Sequence, residues 1–151
     1  MELLYIWIKD YKNLKNVGFN LAGEDYFYFD GENLTYTKKN NYINDFFDSK
    51  GNINVTAIIG ENGTGKTNFF RFISQFSFPG FFEFEGIVVF NNNKEKYIYH
   101  HQDIKVRFDT ITGIKKIDTL KSKNIVNSYS VENSILQKRT KFVYISNILN
   151  P

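Results

Sequence analysis

Apolar and polar positions divide the first forty residues into short extended segments. The stretch ELLYIWIKDY, residues 2–11, is apolar, β-branched or aromatic almost throughout, which is typical of a buried strand. VGFNLAG resumes extended structure after a polar break, and YFYFDGENLTYTK predicts two strands around the turn-forming pair Asp30-Gly31. The pattern therefore predicts an antiparallel β-subdomain, arranged as a small meander, over residues 1–40.

A second strongly apolar segment and a change of period follow in residues 53–78. INVTAIIG, residues 53–60, predicts another buried strand. After Thr67 the apolar positions recur at helical spacing and predict a helix that ends before Pro79-Gly80. The residues of its apolar face are Phe69, Phe72, Ile73 and Phe76.

Residues 83–151 predict further strands. FEFEGIVVFNN and KEKYIYHH favour a hairpin, DIKVRFDT alternates like a half-exposed strand, and KFVYIS near the end of the sequence predicts one more. Residues 113–137 are polar and weakly periodic, which favours a mobile segment or short helices. The sequence as a whole predicts an α/β domain with a mixed sheet.

Composition narrows the class of protein. With 151 residues, of which 42% are hydrophobic and 18% aromatic, the chain suits one domain with a real core. It contains no cysteine, so disulfides and zinc–thiolate sites are excluded. The N-terminus lacks the features of a signal peptide, and no window approaches the ~18 apolar residues of a membrane span. We therefore expect a soluble, cytoplasmic protein without a membrane partner.

Charge gives little support to nucleic-acid binding. The formal net charge is +3, and the three arginines, Arg71, Arg107 and Arg139, are scattered along the chain. Proteins that read nucleic acids more often cluster arginine on one face. The lysines between Lys105 and Lys123 are better explained as a solubilising surface.

One motif carries chemistry. GENGTGKT, Gly60 to Thr67, matches the phosphate-binding pattern of glycine, four residues, glycine, lysine and then serine or threonine. Glycines allow backbone conformations in which successive N–H groups surround an anion, and a helix N-terminus adds positive potential. Lys66 is expected to reach the β- and γ-phosphates and Thr67 to bind Mg²⁺. A simple glycine turn between strand and helix is the alternative.

The residues inside this loop resemble a particular variety. GENGTGKT is similar to the G-x-N-G-x-G-K-S/T loop of ABC-type ATPases, including the structural-maintenance-of-chromosomes, RecF-like and overcoming-lysogenisation-defect families. The opening LLYIWIKDYKNLKNVGFNL also looks like theirs, with an aromatic-basic-polar turn between two strands. The resemblance implies that Lys12 and Asn13 in this turn contact the nucleotide and that Asn62 approaches the γ-phosphate.

ATP and Mg²⁺ are the expected cofactors, Lys66 and Thr67 the catalytic residues, and Thr67 the metal ligand. The residues expected to bind the cofactor are Gly60, Glu61, Asn62, Gly63, Thr64, Gly65, Lys66, Thr67, Asn68, Lys12 and Asn13. One of Tyr26, Tyr28 and Tyr36 is expected to stack on adenine.

Hydrolysis requires elements that the sequence does not show. No run of four hydrophobic residues followed by aspartate comes after Lys66, and a serine-glycine-glycine signature is absent. By the resemblance, residues 1–151 form the N-terminal lobe of a longer ATPase that binds ATP without hydrolysing it alone. KFVYIS would then be the strand before the Q-loop, with Ser146 and Asn147 where its glutamine normally lies.

The resemblance also implies partners. A second copy would sandwich ATP at a dimer interface, and an effector such as a nuclease would fit a bacterial phage-defence complex. Two other classes stay open: a non-catalytic nucleotide-binding scaffold, and a P-loop kinase or GTPase. Against the last, no Asn/Thr-Lys-x-Asp guanine-reading motif follows the loop.

Overall fold

A computed structural model describes residues 2–40, 42–43, 55–75, 85–92, 95–101, 103–108 and 114–115. These residues form eight strands and one helix. In chain order they are β1 (Glu2–Tyr11), β2 (Leu14–Asn20), β3 (Asp25–Phe29), β4 (Asn33–Lys38), α1 (Lys66–Gln75), β5 (Gly86–Asn92), β6 (Glu95–His100), β7 (Arg107–Phe108) and β8 (Ile114–Lys115).

The strands are arranged in two sheets. The larger sheet has five strands in the order β2-β1-β5-β6-β8, and the smaller has three in the order β3-β4-β7. All pairings are antiparallel except β6 with β8 and β4 with β7, which are parallel and involve two-residue strands. The domain is therefore an α/β domain in which antiparallel strands predominate.

The five-stranded sheet is covered on both faces, which explains why β1 and β5 are apolar almost throughout. Alternate side chains of a strand point to opposite faces, so Ile87 and Val89 of β5 join one core while Val88 and Phe90 join the other. The inter-sheet core lies between the two sheets and contains Leu4, Tyr5, Trp7, Phe27, Phe29, Leu34, Ile87, Val89, Ile98 and Ile104. The helix-side core contains Ile6, Ile8, Leu14, Phe69, Phe72, Val88 and Phe90.

A β-bulge in β1 reassigns side chains between these cores. The register with β5 shifts between Leu3 and Tyr5. Consecutive residues Leu4 and Tyr5 consequently both join the inter-sheet core, whereas Leu3 packs against the helix-side core.

Helix α1 is held on the sheet by two phenylalanines of its apolar face. Phe69 stacks on Phe19 of β2, with ring centroids 3.9 Å apart. Phe72 meets Tyr11 of β1 edge-on at 5.1 Å. Both contacts lie on the hairpin of β1 and β2. A 2.7 Å hydrogen bond from Asn68 to Asn13 places the N-terminus of the helix beside the β1–β2 turn.

The hairpins predicted from the sequence are confirmed, but the single meander is wrong. β1 pairs with β2 and β3 pairs with β4, both antiparallel. The two pairs nevertheless belong to different sheets, because β5 occupies the second edge of β1. β2 and β3 are linked by the side chain of Asn20, whose amide exchanges two hydrogen bonds with the backbone of Phe27.

The strand predicted to lead into the glycine-rich loop is also wrong over its described part. Residues 55–60 carry no strand, and the side chains of Val55 and Ile59 are 55% and 91% exposed. An apolar segment forms a ladder only beside a partner strand, and no strand of the described chain pairs with this one. Ile58 packs against the helix-side core, and Thr56 donates a hydrogen bond to the Leu21 carbonyl, so the segment runs along the sheet without joining it.

The predictions for the helix and for the residues after it are confirmed in part. The hairpin of β5 and β6 and the start of the helix are confirmed. The strand predicted from DIKVRFDT is shorter than expected, because only Arg107–Phe108 of its described residues are extended in a sheet. The predicted end of the helix at Pro79-Gly80 and the KFVYIS strand lie outside the described residues. So does the polar segment 113–137, except for β8.

In the part of the chain that the structure describes, no helix has the length and apolar character needed to cross a bilayer.

Candidate functional site

The last two residues of the glycine-rich loop, Lys66 and Thr67, are the first two residues of α1, so that loop and helix N-terminus form one site. The first hydrogen bond of the helix runs from the N–H of Phe69 to the carbonyl of Gly65, at 2.8 Å. The N–H groups of the four residues before Phe69 thus have no partner within the helix. No acidic side chain lies in the first turn to offset the positive end of the helix. This end of α1 can therefore accept an external anion.

Two glycines of the loop adopt conformations that other residues avoid. Gly63 has φ of +84° and Gly65 has φ of +101°. At Gly65 the space is closed as well, since a Cβ there would lie 2.6 Å from Cδ2 of Leu14. At Gly63 no atom would lie within 4 Å of an added Cβ. Gly65 is thus required by both conformation and packing, and Gly63 by conformation alone.

Lys66 folds back over the loop that precedes it. Its ammonium donates hydrogen bonds to the carbonyls of Gly60 and Glu61, each at 2.6 Å. An ammonium group has three donors, so one remains for another acceptor. The positive charge therefore lies beside the residues that open the loop.

Thr64 bonds back to an earlier residue of the same loop. Its hydroxyl donates a 2.8 Å hydrogen bond to the Glu61 carbonyl, and its N–H reaches the same oxygen at 3.4 Å. Gly60 lies close to this side chain, because a Cβ on it would be 2.8 Å from the Thr64 hydroxyl oxygen. The loop is thus a compact turn held by its own polar groups.

The β1–β2 turn contacts this loop through Asn13. The side-chain nitrogen of Asn13 donates a 3.0 Å hydrogen bond to the Gly63 carbonyl, and its oxygen accepts a 2.7 Å bond from Asn68 of α1. Lys12 precedes it with φ of +56°, and its ammonium lies 5.6 Å from the centre of the Tyr11 ring. The structure thus brings Asn13 to the predicted site, whereas Lys12 is exposed and contacts Tyr11.

The remaining residues of the predicted site are accessible. Glu61, Asn62 and Thr67 are exposed, and Thr67 lies in the first turn of α1. Across the described ranges, no group of three or more histidine, aspartate or glutamate residues is placed to hold a metal ion.

The candidate adenine-stacking tyrosines are not at the loop. Tyr26 and Tyr28 line a cleft of about 670 Å³ whose floor includes Tyr5 and Trp7. Those two floor residues belong to the inter-sheet core, on the face of the five-stranded sheet opposite α1. Tyr36 is half-buried, and its hydroxyl donates a hydrogen bond to Asp25. The described residues therefore do not bring any of the three tyrosines to the loop Gly60–Thr67.

Sequence reasoning missed Leu14 and the bonding role of Asn68. Leu14 is buried and its side chain backs Gly65, yet in the sequence it is one apolar residue in a polar turn. Asn68 was expected to bind the cofactor because it follows the motif, but its side chain is bonded to Asn13. The apolar residue directly after the aromatic-basic-polar turn was the available signal for Leu14.

Comparison of the chain with protein-family models, with curated proteins and with solved structures finds no match.

Proposed function

We propose that the loop Gly60–Thr67 binds the phosphates of Mg²⁺–ATP. The observation that carries this is the position of Lys66, whose ammonium lies against the carbonyls of Gly60 and Glu61 at the unoffset N-terminus of α1. A single cation, four N–H groups without a partner within the helix and two glycines with positive φ are the parts that a polyphosphate site requires.

The wider assignment rests on the resemblance in the motif and the opening segment. We place the chain as the N-terminal lobe of an ABC-type ATPase with a P-loop fold, acting as a dimer that holds ATP between copies, in a bacterial phage-defence complex. A contact between the β1–β2 turn and the phosphate loop, here through Asn13, agrees with that assignment. The unpaired segment 55–60 does not support it, since a P-loop ordinarily follows a strand of the sheet.

Binding without turnover is the behaviour we propose for this chain on its own. No apolar run ending in aspartate follows Lys66 in the sequence, so a second acidic partner for Mg²⁺ is not evident. Phosphate release from ATP should stay at the buffer rate while ATP still binds.

Calorimetry with Mg²⁺–ATP tests the binding site. Lys66→Ala should abolish binding, because it removes the cation that meets the phosphates. Lys15→Ala is the matched control: Lys15 is an exposed lysine of the neighbouring strand, 3.3 Å from Asp10, and should leave the affinity unchanged. Equal affinities of wild type and Lys66→Ala would refute the assignment.

A further inference from the structure

We infer that Asn13 is a positioning residue through which the β1–β2 turn sets the affinity of the loop for polyphosphate. This inference rests on the proposed function. Asn13 belongs to neither the loop nor the helix, yet it is bonded to both, to the Gly63 carbonyl at 3.0 Å and to the Asn68 amide at 2.7 Å. It connects residues that are 50 and 55 positions away in the chain.

The bond to Gly63 determines which way one peptide unit of the loop faces. In a trans peptide the carbonyl and the following N–H point in opposite directions. Anchoring the Gly63 carbonyl on Asn13 therefore turns the N–H of Thr64 away from the β1–β2 turn. That N–H does point across the loop, toward the Glu61 carbonyl at 3.4 Å.

Packing reinforces this orientation. An added Cβ on Gly65 would approach Oδ1 of Asn13 to 3.0 Å, so the side chain lies directly against the second glycine of positive φ. Asn13 thus supports the loop at Gly63 and at Gly65. Glycines are the residues that lose most freedom when a loop becomes ordered, so holding them before the ligand arrives lowers the entropy lost on binding.

The same geometry distinguishes positioning from direct contact. The nitrogen and the oxygen of the Asn13 side chain each already have a protein partner. These two bonds connect Asn13 to the loop backbone and to α1, so we assign it an action through the loop in place of the nucleotide contact that the resemblance implies. Its effect should depend on the phosphates and not on the base or the ribose.

The experiment measures affinities of the intact protein for Mg²⁺–ATP and for inorganic triphosphate. Asn13→Ala should weaken both about tenfold, equivalent to the loss of about one hydrogen bond to the backbone. Asn68→Ala should weaken both less, because it leaves the bond to Gly63 in place. The double variant should be no weaker than Asn13→Ala, since the two residues act through one connection. Lys15→Ala, two residues beyond Asn13, is the control and should match wild type.

The remaining outcomes contradict either this inference or the proposed function. Unchanged affinity in Asn13→Ala, with wild type binding normally, overturns this inference and leaves the proposed function intact. A loss seen with ATP but not with triphosphate overturns it too, because it indicates a contact to the nucleoside. Failure of wild type to bind either ligand overturns the proposed function itself. If Asn13→Ala does not fold, Asn68→Ala decides, and a loss of the triphosphate affinity is then required.

Discussion

Lys96 of β6 and Asp25 of β3 form an ion pair that joins the two sheets, with Nζ 3.3 Å from Oδ1. The same carboxylate oxygen accepts a 2.6 Å hydrogen bond from the Tyr36 hydroxyl. The Asp25 side chain is only 6% exposed and that of Lys96 19% exposed. Three polar side chains from three strands thus meet at the boundary of the inter-sheet core.

Breaking this pair from one side should be costly. Lys96→Met leaves the Asp25 carboxylate buried without its cation, and we expect unfolding free energy to fall by about 3 kcal/mol. Lys15→Met, which breaks the exposed pair with Asp10, should change it by less than about 0.5 kcal/mol. Urea denaturation of both variants provides the comparison. If the two variants lose similar amounts of unfolding free energy, the pair of Lys96 and Asp25 stabilises the protein no more than an exposed pair does.

Stability should fall in alkaline solution. Burial raises the pKa of Tyr5, Tyr36 and Tyr99 above the ordinary value, and the hydrogen bond to Asp25 further raises the pKa of Tyr36. Below about pH 9 these phenols are neutral in both states. Above it the unfolded chain loses protons that the folded protein keeps, so stability decreases as pH rises.

Unfolding free energy measured against pH checks this. Up to about pH 9, ionisation of these phenols should leave the unfolding free energy unchanged. At higher pH the unfolding free energy should decline. Tyr36→Phe removes one of the groups, so its decline above pH 10 should be shallower than that of wild type, whatever its stability at neutral pH. Identical slopes would argue that Tyr36 keeps an ordinary pKa in the folded protein.

The two glycines of positive φ allow a matched test of the loop geometry. Gly65→Ala combines a disfavoured φ with the close approach to Leu14 and should destabilise by about 3 kcal/mol. Gly63→Ala meets no atom and should cost only the backbone term, about 1 kcal/mol. Thermal or urea unfolding ranks the two variants, and the reverse order would contradict the packing of the β1–β2 turn on the loop.

Attachment of the helix should depend on Phe69. This side chain is buried in the helix-side core and stacks on Phe19, so Phe69→Ala should cost about 3 to 4 kcal/mol. Ile59→Ala, at a side chain that is 91% exposed, should change stability by less than about 0.5 kcal/mol. If the loop Gly60–Thr67 binds nucleotide as we propose, Phe69→Ala should also weaken that binding, because the loop continues into α1, and calorimetry at low temperature would show it.

Local pairing was readable from the sequence, and distant pairing was not. The hairpins β1–β2, β3–β4 and β5–β6 follow from turn residues between alternating or apolar segments. β1 pairs with β5, and Glu2 lies opposite Asn91. No pattern in the sequence around either residue indicates a pairing between such distant segments. The separation into two sheets follows from that distant pairing, which is why a single meander was predicted instead.

At the candidate site, too, local features could be predicted from the sequence and contacts between distant segments could not. The motif predicted the loop, its glycines and the start of α1, because the residue types needed there are determined by the local backbone conformation. The strand before the loop was predicted from apolar character alone, but a strand also needs a neighbour to pair with, and the described residues supply none to 55–60. The turn at Asn13 was located by resemblance, but its bonds to Gly63 and Asn68 required coordinates.

The central position of β1 has a consequence for how the chain folds during synthesis. Its pairing with β2 can form as soon as residues 2–20 are available, but its other edge waits for β5, whose first residue is Gly86. Until then an apolar strand edge stays open to other nascent chains, which favours aggregation. Expression of fragments that end before β5 should therefore give insoluble protein.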